Sequence, residues 1–366
     1  MGDTYDSIAS PATLGSYAEY DVTLLLKKVD IQPTDTATRE EAIQSGRRHY
    51  SEMISAEMAP TREYMELFTK AMATGGPRMG AETARLALAI VQSVEGPITL
   101  VSLVRAGVPF GILLKRAIAL LGRDVGHYGL SIIRDKGVDD EAMRHILARR
   151  PVESIVFVDS WTGKGAIANQ LEKSFKDYSD RPARLVVLAD PCGCAWLAAS
   201  GDDWLIPSGM LGCTVSGLIS RSILNAALVG PGDFHACVQW DNLAEHDISR
   251  SFVDGMWNDV STVIATEIPS VWSIETRRAH RDAAAAAVAW VMGEDAVTNI
   301  NRVKPGIAEA TRAILRRVPE KVYVSSPTDP ELAALMYLID NKGVPYVVSP
   351  RKIAPYRAVT LIRHVS

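Results

Sequence analysis

Two short stretches of this chain carry residue types that can hold a phosphate. In one, four apolar residues, Ile155 to Val158, end in Asp159, and Thr162-Gly-Lys-Gly165 follows before a predicted helix from Ala166 to Phe175. Gly163 and Gly165 let the backbone turn tightly and aim N–H groups inward, while the helix start adds partial positive charge. Asp159, on the rim, suits sugar hydroxyls or a developing cation. In the other, the apolar run Pro97 to Val104 ends in Arg105-Ala-Gly107, and Val108 to Leu121 reads as a helix. Arginine fits anion binding because its planar fork donates two hydrogen bonds at once and keeps its charge. Between the two lies Arg134-Asp-Lys-Gly137, in which Arg134 and Lys136 add positive charge. The spacing of a Walker loop and its Lys-Ser/Thr pair are missing. The bland alternative is an ordinary strand-to-helix turn at each place, and a polar surface turn at 134–137.

The elements that must position these residues follow from pattern and punctuation. Continuous apolar runs at 97–104, 125–133, 155–158 and 184–189 are the mark of buried parallel strands, and helices alternate with them. Asp21 to Leu26 reads as a further strand. Helices are expected from Thr38 through Ala56, from Thr61 to Ala73, from Gly80 to Val94 and from Arg277 to Met292. Arg47, Arg48 and His49 fall in the first of these, either toward a phosphate or on a solvated face. With 366 residues, 47% hydrophobic and 22% charged, the chain has enough material for two domains with sizeable cores. No apolar run reaches membrane-spanning length, the N-terminus shows no secretion signal, and four cysteines fit a reduced cytoplasmic setting. Net charge is −4, but from Asn301 onward the balance is +6 against −10 before it, so a small basic module is expected on an acidic body.

The Asp159 stretch resembles the phosphoribosyl pyrophosphate (PRPP) motif of type I phosphoribosyltransferases, with Ser160 where a second acid often stands. Leu103-Val-Arg-Ala-Gly107 is similar to the pyrophosphate loop of uracil phosphoribosyltransferases. Asp202-Asp-Trp-Leu-Ile-Pro207 is similar to the base-packing segment of that fold. The resemblance implies a 5-phosphate on Thr162, Gly163, Lys164, Gly165 and Ala166, and a diphosphate on Arg105, Ala106, Gly107, Arg134 and Lys136. Asp203, Trp204 and Ile206 would face the acceptor. Asp159 and Arg105 would carry catalysis, with Mg2+ brought by PRPP rather than by protein side chains, Asp159 being the one candidate contact.

Residues 1–260 also resemble a family of tellurite-resistance gene clusters, some of whose members carry the label cysteine protease StiP. The shared features are Gly15-Ser-Tyr17, His49-Tyr-Ser-Glu-Met53, Ser131-Ile-Ile-Arg-Asp135 and Trp161-Thr-Gly-Lys-Gly165. That label points to a thiol nucleophile, Cys192, Cys194 or Cys213, with His235 as base. A metal cluster of Cys192, Cys194, Cys213, Cys237 and His235 is a further alternative, although paired Cys-x-x-Cys knuckles are missing.

The last module alternates helix, strand, helix, strand from Pro305 to Ser349 and resembles the Pelota-type RNA-binding domain. Gly306-Ile-Ala-Glu-Ala-Thr-Arg312 and Gly343-Val-Pro-Tyr-Val347 carry that likeness. It implies RNA contacts from Lys304, Gly306, Glu309, Arg312 and Arg351.

The expectation is therefore an α/β protein: a type I phosphoribosyltransferase-like parallel-sheet domain over 1–296, followed by a small α/β/α Pelota-like domain over 297–366. The first would divide into a helical hood (1–95), a core (96–262) and a helical connection (263–296). Its expected activity is transfer of ribose 5-phosphate from PRPP to an unidentified acceptor, with RNA and a second copy of the chain as expected partners. A cysteine hydrolase and a non-catalytic PRPP-sensing RNA-binding protein are the alternatives.

Overall fold

The computed structural model describes residues 13–364. The expectation of no secretion signal concerns residues that lie largely outside these. Six strands form one sheet, in the order Thr23–Leu25, Val125–Leu130, Ile98–Leu103, Ile155–Val158, Leu185–Ala189 and Leu197–Ser200, every neighbouring pair parallel. The three central apolar runs are buried along their whole length. Both faces of the sheet must therefore be covered, as parallel sheets require.

One face is covered by Arg62–Ser93, Gly107–Leu120 and Ser249–Val263. The first of these runs 32 residues without a break, where the glycines and proline at 75–80 predict two helices. Those glycines serve packing instead. A Cβ at Gly80 would stand 2.6 Å from the Cβ of Asp259, so the small residue permits close approach to Ser249–Val263. The helix expected to run from Thr38 to Ala56 stops at Gln44, and Gly46 follows with φ +71°, a left-handed exit that favours glycine. The other face holds Asp140–Leu147 and Ala166–Phe175, packed on Phe157, Leu185 and Val187.

The second unit has a four-stranded mixed sheet, in the order Val303–Pro305, Ala358–Ile362, Pro319–Val324 and Tyr346–Val348. Helices Ile307–Arg316 and Ala333–Lys342 pack on it. Its helix Ile307–Arg316 starts on a carboxylate of the first unit. Asp203 accepts hydrogen bonds from the Ile307 N–H at 2.9 and 3.1 Å and from the Arg357 N–H at 2.8 Å. The first N–H of the helix, for which the N-cap Gly306 has no side chain, is thus satisfied across a domain boundary. The mixed α/β architecture, with a parallel-sheet domain and a smaller C-terminal one, is the one expected. No helix among the described residues is long and apolar enough to cross a membrane.

Candidate anion-binding cleft

The two glycine turns lie side by side because the strands that feed them, Ile98–Leu103 and Ile155–Val158, are neighbours in the sheet. Their approach is close enough to demand glycine: a Cβ at Gly107 would meet the carbonyl oxygen of Val158 at 2.2 Å. The Ser160 hydroxyl, which replaces the second acid, donates to the Ala106 carbonyl at 2.7 Å and ties one turn to the other. Both open at the C-terminal edge of the sheet, where α/β folds bind ligands.

A cavity of about 620 Å³ lies over this edge, roofed by the second unit. Thr162, Gly163, Lys164, Gly165 and Ala166 line it from below together with Ala106 and Asp159, and Lys304, Glu309 and Arg312 line it from above. Gly165 has φ +80° and opens the helix Ala166–Phe175, as the anion-turn pattern requires.

Charge dominates the electrostatics. Burial and the neighbouring Lys164 push the Lys304 ammonium down to about 7, and burial pushes Arg312 down to about 9. Burial also lowers Lys164. The Asp159 carboxyl moves the other way, up to about 7, because burial outweighs the Ser160 N–H that it accepts. Two polar atoms of the cleft wall, Glu309 Oε2 and Arg312 Nε, are buried without a hydrogen-bond partner. Arg312 also stacks on Trp161, 4.5 Å from the ring centroid. The cleft thus gathers Lys164, Lys304 and Arg312 with the carboxylates of Asp159 and Glu309, the latter packed on Gly163, and an anion there would restore charge to the cations pushed toward neutrality.

The other expected site residues are divided between the cleft and places apart from it. Arg105 is 4% exposed and spends its guanidinium on Glu57 Oε1 and the Ile219 carbonyl, both at 2.5 Å. Burial alone would raise the Glu57 carboxyl, but Arg105 and Arg316 outweigh it and hold it at about 2. Arg134 reaches the cleft, bonded to Asn301 Oδ1 and stacked on Tyr50, whereas Lys136 is exposed and stands apart from the lining. Asp203 caps the second unit, buried Trp204 lies under Arg78, and Ile206 is core. Of the residues expected to meet RNA, Lys304, Glu309 and Arg312 face the cleft, Gly306 is buried beside Asp203, and Arg351 is exposed.

The sequence reading passed over Glu57, which holds Arg105, and Asp190, which organises the segment behind the loop. Asp190 accepts from Thr162 Oγ1 at 2.5 Å and from the N–H groups of Cys194 and Ala195. Its place just past the strand Leu185–Ala189, at the same sheet edge, is the signal that could have found it. Among the thiols, Cys213 and Cys237 are buried and pushed up to about 12 by burial, while Cys192 and Cys194 lie together under Gly165. His235 bonds Ser131 Oγ through Nδ1, and its backbone N–H goes to Asp139.

An α/β protein with a cleft between two sheet-bearing units, lined by cationic side chains from both, is the class this geometry defines. The family model described as tellurite-like stress resistance cysteine protease StiP matches residues 15–257, and the PELOTA RNA binding domain model matches residues 282–364. A curated relative, the cysteine protease StiP of Acinetobacter baylyi (strain ATCC 33305 / BD413 / ADP1), is 48% identical over 360 residues, covering 95% of this chain and 94% of that one. The chain belongs to the StiP family. Among solved structures, a hypoxanthine-guanine phosphoribosyltransferase from Bacillus anthracis aligns at 13% identity with a TM-score of 0.29, over 44% of this chain and 94% of that one. Hypoxanthine phosphoribosyltransferase from Trypanosoma cruzi in complex with IMP aligns at 14% and 0.28, over 51% and 93%.

The expectation of a PRPP-dependent glycosyltransferase is corrected by the relative's name, which is that of a cysteine protease. The physical reason is that a glycine turn at a strand end specifies room and polarity for a phosphate, not a transfer reaction. The arginine that was to grip the leaving diphosphate is neutralised by Glu57.

Proposed function

We propose that this chain is a thiol-dependent hydrolase whose interdomain cleft binds a compact phosphorylated ligand. The observation that carries the ligand is the convergence of Lys304 and Arg312, from the second unit, on the glycine loop Thr162–Ala166 with its own Lys164, whose ammonium donates to the Val303 carbonyl at 2.6 Å. Hydrolysis is supported by the name of the 48% identical relative. Cys194 is the thiol best placed for it, being half-buried where the other three are buried. Its partner thiol Cys192 and burial both raise its pKa, so attack requires a base or a rise in pH. The carboxyl of Asp159, raised by burial and set among cations, does not fit a hard ion such as Mg2+.

Calorimetric titration of the full chain with diphosphate tests the ligand. Saturable binding is expected, with loss of binding in Lys164→Met/Lys304→Met; equal binding by that variant would overturn the cleft assignment. Peptidase activity lost on Cys194→Ser and on thiol alkylation is expected for the hydrolase. Activity that survives both would remove Cys194 from that role.

The Pelota match favours a second reading in which the anion is an RNA phosphate. Arg351 is then the contact on open surface, and salt-dependent RNA affinity that falls on Arg351→Ala is the expected result.

A further inference from the structure

Behind the loop, and outside the cleft lining, lies a second group of ligand atoms. Cys192 Sγ and Cys194 Sγ are 2.9 Å apart, and each is 3.8 Å from Asp190 Oδ1. These three residues are the one cluster among the described residues whose His, Cys, Asp or Glu donor atoms stand close enough to share a metal ion. We propose that Asp190, Cys192 and Cys194 form a binding site for a thiophilic divalent cation of the Zn2+ or Cd2+ class, and that its occupancy is coupled to the loop Thr162–Ala166.

The arrangement is pre-organised. Gly193 takes φ +62° between the cysteines. The Arg281 guanidinium donates to the Gly193 carbonyl at 2.9 Å, and a Cβ on Gly193 would stand 2.0 Å from the Arg277 carbonyl oxygen, so the turn is pinned to the helix Ile274–Glu294. Asp190 is fixed by the N–H groups of Cys194 and Ala195 and by the Trp272 indole. A tetrahedral zinc site with metal–sulfur bonds of about 2.3 Å needs sulfurs about 3.8 Å apart and oxygen–sulfur edges of about 3.6 Å. The oxygen–sulfur edges already match to a few tenths of an ångström. The sulfurs must separate by roughly 0.9 Å to reach that edge, which requires the half-buried Cys194 side chain to turn away from Cys192. Two thiolates with one carboxylate make a soft set that selects such ions over Mg2+ or Ca2+ and leaves a fourth position for water. On binding, two S–H bonds break, two S–metal bonds form, and two protons leave to solvent. An occupied site therefore withholds Cys194 from its proposed role as the hydrolase thiol, which only the metal-free chain can exercise.

The coupling follows from Asp190 Oδ1, which already accepts the Thr162 hydroxyl at 2.5 Å and the Cys194 N–H at 3.0 Å. An ion on Oδ1 displaces the hydroxyl and frees Thr162, the first residue of the anion loop. Gly165 is the thin wall between: a Cβ there would lie 3.5 Å from Cys194 Sγ and 3.7 Å from Cys192 Sγ. The coupling rests on the proposed cleft ligand, whereas the metal site does not.

The test titrates the reduced full-length chain with Cd2+, following the thiolate-to-cadmium absorption band and the protons released. One ion per chain and two protons per ion are expected. Cys192→Ser and Cys194→Ser should each weaken affinity by about a hundredfold or more, while Cys213→Ser and Cys237→Ser leave it unchanged. Circular dichroism confirms that each variant is folded, and Cys192→Ala replaces Cys192→Ser if the latter is not. Absence of tight binding, or binding retained when both Cys192 and Cys194 are replaced, overturns the site. Diphosphate titration of the Cd2+-loaded chain reads the coupling, and an affinity within about twofold of the metal-free value overturns that part. Failure of diphosphate to bind either form overturns the cleft reading and with it the coupling, while the absorption band still decides the metal site.

Discussion

Two neighbouring strands of one sheet each end in a glycine turn and feed a helix, yet one turn is closed and the other open. After Val104 the arginine folds back into a buried ion pair with Glu57, and Gly107 is there to let the backbones touch. After Val158 the loop Thr162–Ala166 faces a cavity lined by cations from both domains. The same local pattern thus makes a structural clasp in one place and the floor of a cleft, the proposed ligand cradle, in the other. What separates them is a partner, Glu57, that lies 48 residues away in the chain.

Substitutions can break that contrast. The largest effect is expected for Arg105→Ala, which leaves the buried Glu57 carboxylate with only Arg316 and the Cys213 N–H and should cost about 3 kcal/mol of stability in a denaturant titration. Diphosphate affinity of the folded fraction should be unchanged; a collapse of affinity without loss of stability would show that Arg105 belongs to the cleft. Lys304→Met should weaken diphosphate roughly tenfold, the size of one charge-assisted hydrogen bond, with little change in melting temperature.

A subtler effect concerns pH. Lys304 and Asp159 both stand near 7, and a bound anion raises both, so binding takes up protons. Affinity should therefore fall as pH rises from about 6 to about 8. Asp159→Asn removes one of the two proton-binding groups and should flatten the fall, and an unchanged slope would exclude Asp159 from the cleft chemistry. The smallest effect is expected for Lys136→Ala, an exposed residue off the lining, with a stability change within about 0.5 kcal/mol and unaltered diphosphate binding.

Much of the fold was legible in the chain. Runs such as Ile155–Val158 and Leu185–Ala189 announce buried parallel strands, and the helix Ala166–Phe175 begins and ends where its pattern does. The glycines of 75–80 misled because glycine marks both a helix break and a close helix crossing, and only the neighbour, Asp259, tells them apart. The site was legible in half. Loop residues announce themselves by type, but the roles of Arg105, Asp203 and Lys304 depend on partners far away in sequence. Lys304 reads as a basic residue of a small RNA-binding module, yet it meets Lys164 across a domain boundary that no local pattern records. The activity was the least legible part, since an anion turn names a guest and not a reaction.

The carboxylate of Asp203 has a consequence for how such a chain can be assembled. Moved to another host, this Pelota-type module would lose the acceptor of the Ile307 N–H at the start of its leading helix, unless the new host offered an acid at this place. The two halves are thus a matched set, exchangeable together and not one at a time.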